Sequence, residues 1–115
     1  MTDTFADYDP TALPAPVLAY LDRDKDPAGA GLFAPDARVH DDGHEYVGKD
    51  AIREWIATVS TEYEYTKTRL GQKVSDPDRV ALLIRLDGNF PGGTATLQYR
   101  FGLRDDLIYN LTIAA

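Results

Sequence analysis

Two histidines and three carboxylates fall within six consecutive positions, His40 to Glu45, of a 115-residue chain that has no other histidine. Asp42-Gly43 at the centre of this run is a strong two-residue hairpin signal. With those two as the turn, Asp41 and His44 stand directly across from each other on one face, their Cβ atoms about 5 Å apart. His40 and Glu45 pair in the same way on the opposite face. Asp41 and His44 can then work as an acid/base dyad at a pocket rim, the carboxylate holding the imidazole in one tautomer. The same pair also reads as an exposed ion pair on an edge hairpin, worth under ~1 kcal/mol. Two histidines among carboxylates suit zinc or non-haem iron, but alternation splits His40 and His44 between faces. No metal and no other cofactor is expected.

Further along, Arg85 and Asp87 share a strand face. They read either as an anion clamp with its partner in a pocket or as a salt bridge on the outer side of a sheet. Tyr20, Trp55, Tyr63, Tyr65, Tyr99 and Tyr109 are the aromatic supply, and Trp55 and Tyr99 are the choices for pocket walls. Gly92-Gly93 is a turn rather than a phosphate loop, because no helix pattern follows it.

These residues need elements to hold them. Residues 1–10 carry no periodicity and read as a loose lead-in to a single domain over 11–115. From Thr11 the pattern is helical, with Leu13, Val17, Leu18 (or Tyr20) and Leu21 on one stripe, until the polar run from Asp22 to Pro27 ends it. Ala28 to Ala34 reads as a second, short helix weakened by Gly29 and Gly31. Ala37–Asp42 and His44–Val47 form the hairpin. A helix over Ala51–Ser60 follows, capped by Asp50 and burying Ile52, Trp55, Ile56 and Val59. Four long segments rich in Tyr, Thr, Val, Ile and Leu then predict strands over Tyr63–Val74, Arg79–Phe90, Thr94–Leu103 and Leu107–Ala114. The turns between them are short, so the sheet reads as an antiparallel meander and the class as α+β. In the third of these strands Ala95, Leu97, Tyr99, Phe101 and Leu103 share the face toward the helices, and Thr96, Gln98, Arg100 and Arg104 the outer one. That outer face is expected to pair with a second copy as a homodimer.

The formal charge of −7 repels phosphate backbones and anionic bilayers, so neither nucleic acid nor a membrane is an expected partner. The absence of cysteine removes thiol chemistry and fits a reducing compartment. The acidic start MTDTFADYDP is no signal peptide, and the longest apolar run, Val80–Ile84, is far too short for a membrane span. A cytoplasmic location is expected.

The passage LFAPDARVHDDGHEYVGKDAIREWI, with Phe33-Ala34, Asp36-Ala37, Val39, Gly48 and Ile52 as its markers, resembles the SnoaL-like group of the nuclear transport factor 2-like superfamily. GNFPGGTATLQYRFGLRDDLIYNLTIA resembles the end of the same domain. The resemblance implies a cone, with a curved antiparallel sheet wrapped around N-terminal helices and a central pocket, as in cystatin-like folds. In the ketosteroid isomerases of that superfamily, Asp41 matches the general base, while the oxyanion-donor positions fall near Val17 and Leu97, which carry no donor. Arg85-Leu86-Asp87 matches part of the epoxide hydrolase pattern, whose last aspartate falls near Ile113. The reading is a small-molecule-binding protein with a pocket for a small, mostly apolar ligand, Leu97 among its walls. The alternative is a cofactor-free isomerase or cyclase acting on a carbonyl compound, with Asp41 and His44 as proton carriers. An epoxide hydrolase or a partner-binding transport module ranks lower.

Overall fold

The structure, a computed structural model, describes residues 5–22, 27–62, 65–76 and 78–115. Tyr63, most of the polar run after Asp22, and Pro77 of one expected turn lie outside the described residues. In chain order the elements are β1 (Ala6–Asp7), α1 (Ala15–Asp22), β2 (Phe33–Asp41), β3 (His44–Val47), α2 (Lys49–Glu62), β4 (Tyr65–Asp76), β5 (Arg79–Gly88), β6 (Thr94–Arg104) and β7 (Leu107–Ala114). They make one sheet in the order β1-β4-β5-β6-β7-β2-β3. The sheet curves without closing, and both helices lie on its inner side, which gives the α+β cone.

The first helix and the long helix after the hairpin form where the pattern places them. Pro14 and Pro16 sit at the start of α1, and the backbone N–H groups of Val17 and Leu18 both reach the Pro14 carbonyl. Val17, Tyr20 and Leu21 turn inward. On α2, Ile52, Trp55 and Ile56 are buried and Val59 is packed against them. The helix begins earlier than the sequence suggests, because the Ile52 N–H bonds to the Gly48 carbonyl. Inward residues of the sheet, among them Val39, Leu82, Ile84, Phe101 and Leu111, complete the core.

Three expectations are corrected. The second helix is a 3₁₀ segment, Pro27–Leu32, after which Phe33 already pairs with Ile108 in the sheet. Two glycines in so short a run leave little to favour an α-helix over a strand pairing that buries Phe33 and Ala34. The sheet is not wholly antiparallel, since β2 lies parallel to β7. Turn length says nothing about strands so far apart in sequence. Finally, Phe5 to Asp9, within the expected loose lead-in, is docked. Ala6 pairs with Gln72, whose side chain accepts from the Asp9 N–H at 2.8 Å and donates to the Asp9 carbonyl at 2.9 Å. Gly71 is required there, because a Cβ would stand 2.8 Å from the Ala6 carbonyl oxygen.

Candidate functional site

The hairpin register is the one the turn chemistry dictates. Asp42 and Gly43 have φ values of 53° and 77°, the left-handed pair of a type I′ turn. Asp41 therefore faces His44, and His40 faces Glu45. The outward pair is in direct contact, His40 Nε2 2.7 Å from Glu45 Oε2, and Arg38 reaches the same carboxylate at 3.5 Å.

The inward row runs on across the sheet. Asp41 neighbours Ile113, Ile113 neighbours Tyr99, Tyr99 neighbours Leu82, and Leu82 neighbours Gln72. Between this face and the helices opens a cavity of about 500 Å³, large enough for a small organic molecule. Its walls are mostly apolar or aromatic: Leu97, Tyr99 and Ile113 from the sheet, Tyr20 from α1, Trp55 from α2, and Phe90 with Pro91 at the loop before β6. Tyr20 is fixed edge-on against Phe33 and Phe101, with ring centroids 5.8 and 5.6 Å away.

Asp41 is the part-buried carboxylate of this wall. Trp55 Nε1 donates to Asp41 Oδ2 at 3.0 Å, across from the hairpin to α2. The indole is itself held against Tyr46, centroid to centroid 6.0 Å. One carboxylate oxygen is thereby oriented by a donor while the side chain lines the cavity, an arrangement suited to proton transfer with a bound molecule.

Of the sequence-derived site residues, Asp41, Tyr20, Trp55, Leu97 and Tyr99 come together on this one cavity. His44 shares a face with Asp41 but is exposed and is not part of the lining. Arg85 and Asp87 do not line it either. They lie on the outer side, 3.2 Å apart, with Thr94 Oγ1 donating to the same Asp87 oxygen at 3.0 Å. The pocket-clamp alternative for that pair is thus corrected: Ile84 and Leu86 take the inner positions of β5, which forces Arg85 and Asp87 outward.

Lys67 and Tyr65 are among the wall residues that sequence reasoning did not assign. Lys67 Nζ lies 4.9 Å from the Tyr99 ring centroid and 5.7 Å from that of Tyr65. Deeper on β4, Arg69 donates to the Tyr8 hydroxyl at 2.7 Å and to Asp22 at 3.2 Å. Burial alone would lower its pKa, but these bonds raise it above the ordinary arginine value.

Comparison with known proteins places this geometry. Residues 17–109 match the family model described as the SnoaL-like domain. A candidate polyketide cyclase of known structure from Sinorhizobium meliloti is 34% identical, with a TM-score of 0.85 over 92% of this chain and 99% of that one. A protein from Sphaerobacter thermophilus is 25% identical, with a TM-score of 0.73 over 89% of this chain and 95% of that one. A protein of ketosteroid isomerase-like fold from Catenulispora acidiphila, solved in complex with trimethylamine, is 19% identical over 90% of this chain and 87% of that one, with a TM-score of 0.75. No curated protein matches the chain.

Proposed function

The chain belongs to the SnoaL-like domain family of the nuclear transport factor 2-like superfamily, and from that premise we propose that its cavity binds a small, mostly apolar carbonyl compound from which Asp41 removes a proton. The observation that carries this reading is the Asp41 carboxylate on the wall of a mostly apolar cavity, oriented by the Trp55 N–H. The likeness to a candidate polyketide cyclase supports the same class of chemistry.

In the proposed step the Asp41 carboxylate takes the proton from the carbon next to the carbonyl. The C–H electron pair moves to the carbonyl oxygen and leaves an enolate. In a cyclase the enolate carbon attacks a second carbonyl of the same molecule, and protonated Asp41 returns its proton to the new alkoxide. In an isomerase the proton returns to a different carbon. His44, across the hairpin and open to solvent, exchanges protons between Asp41 and water.

The bicyclic ketone 2-tetralone suits the cavity as a probe. Trp55 is the chain's only tryptophan and lines the cavity, so quenching of its fluorescence reports binding there. Exchange of the ketone's α-protons in D2O, followed by NMR, reports the base. Asp41→Asn keeps the shape and an oxygen for Trp55 but is no base, and it should slow exchange at least about a hundredfold. His44→Ala should slow it only a few-fold. Exchange that Asp41→Asn leaves unchanged would defeat the assignment.

A second reading, binding without turnover, is favoured by the apolar side chains where the ketosteroid isomerases keep oxyanion donors. Val17 is fully buried and Leu97 lines the cavity. Quenching of Trp55 without any exchange above buffer would select it.

A further inference from the structure

Proton removal by Asp41 leaves a negative charge on the substrate oxygen inside a mostly apolar cavity. Such a charge needs a preorganised hydrogen-bond donor or a positive partner, and that stabilisation is usually the largest single contribution to catalysis. Among the described lining residues, Lys67 alone is basic. It enters from β4 while Asp41 enters from β2, with β5, β6 and β7 between them along the curve of the sheet. Its ammonium is held over the Tyr99 ring, and Tyr99 is separated from Asp41 in the cross-sheet row only by Ile113. A carbonyl compound that fills the space beside Tyr99 meets the carboxylate at one side and the ammonium at another.

We infer that Lys67 holds the substrate oxygen as its negative charge develops, and that the site therefore favours compounds with an acidic enol or phenol, 1,3-dicarbonyl compounds foremost. The inference rests on the proposed role of Asp41. The proton passes from carbon to Asp41, the charge passes from Asp41 to the oxygen beside Lys67, and the net charge of the site stays the same. A full cation on a partly buried, mostly apolar wall favours the anionic form of the ligand. The lysine head lies over the faces of two tyrosines, 4.9 and 5.7 Å from their ring centroids, which favours its place at the cavity wall.

The probe is 7-hydroxycoumarin, whose phenol and phenolate differ in absorbance. Binding in the cavity is confirmed by quenching of Trp55, and the pH midpoint of the bound dye is compared with that of the free dye. The wild-type midpoint should lie lower by about one pH unit, a tenfold preference for the phenolate. Lys67→Met should abolish that preference, Lys67→Arg should keep it, and Asp41→Asn, which removes a competing anion, should enlarge it. Thermal unfolding of Lys67→Met close to wild type shows that the fold is not the cause. A midpoint that is not lowered, or is equally lowered in Lys67→Met, overturns the role of Lys67. If Asp41→Asn still loses α-proton exchange on 2-tetralone, the base reading survives that outcome. A dye that fails to quench Trp55 at any pH overturns the preference for phenols and with it this inference.

Discussion

Trp55 joins the core to the chemistry: its ring packs inside the molecule, 4% exposed, while its N–H ends on the Asp41 carboxylate. Hydrogen bonds to charged groups are worth ~1.5–3 kcal/mol. Trp55→Phe, which keeps an aromatic ring but removes the donor, should therefore lower the unfolding free energy by about 2 kcal/mol or more in urea titration. It should also slow α-proton exchange through loss of carboxylate orientation. Because the smaller ring loses packing too, a double-mutant cycle with Asp41→Ala isolates the bond. A coupling below ~0.5 kcal/mol would show that the bond contributes nothing. At this scale much of the cavity wall was legible. Tyr20, Leu97 and Tyr99 point inward with apolar neighbours, and the turn register alone puts Asp41 on their face. Lys67 was not legible, because β4 inverts the usual pattern: Lys67 and Gln72 turn inward, while Leu70 stands 42% exposed on the outside. His44 shows the limit of register as a guide. Facing Asp41 across two strands did not bring it into the cavity, because the hairpin ends there and opens to solvent.

The elements carry their own strain and their own anchors. The β6–β7 turn places Asp105 and Asp106 at φ 54° and 61°, a left-handed pair built without glycine. Glycine is the favoured second residue of such a turn, whereas the left-handed region costs other residues roughly 1 kcal/mol. Asp106→Gly should thus stabilise the protein by about 0.5 kcal/mol after the glycine's extra unfolded-state freedom is counted, visible as a rise of a few degrees in Tm. A fall in Tm would mean that the aspartate has a role the backbone does not reveal. At the other end of the sheet, Gln72 is the buried polar residue among those described, and both its bonds hold the Asp9 backbone. Gln72→Leu should destabilise by about 1–3 kcal/mol and raise hydrogen exchange selectively over residues 5–9. Uniform exchange across the chain would argue against a local clamp. The four long strands were legible because short turns join them and each turn names its partners. β1 and the parallel β2–β7 pairing were not, since the partners that fix them are remote: two backbone bonds to one glutamine, and a strand at the far end of the chain.

At the scale of the whole molecule, one basic groove stands out on an acidic chain. The chain carries −7 overall, yet Lys73, Arg79 and Arg100 line one groove of about 420 Å³ on the outer side of the sheet, with Tyr109 and Thr112. Lys73 and Arg100 belong to a single cross-sheet row with Ala81 between them. Arg104, paired with Asp36, lies over the Tyr109 ring nearby. We propose that a second copy covers this side as a homodimer, since the exposed Leu70 and the groove itself are surfaces that another sheet can bury. The sign of its salt dependence follows from the charges. Two like basic faces brought together repel, and two chains of −7 repel as well, so screening should favour association. Sedimentation should then show the dimer fraction rising between low salt and ~0.5 M salt, where the Debye length has fallen well below the ~10 Å it has at 0.1 M. Arg100→Gln should raise the dimer fraction at low salt and flatten that dependence. An Arg100→Gln variant that dissociates more readily would instead mean that the arginine meets an acidic group of the second copy, and a monomer at every salt concentration would remove the interface altogether.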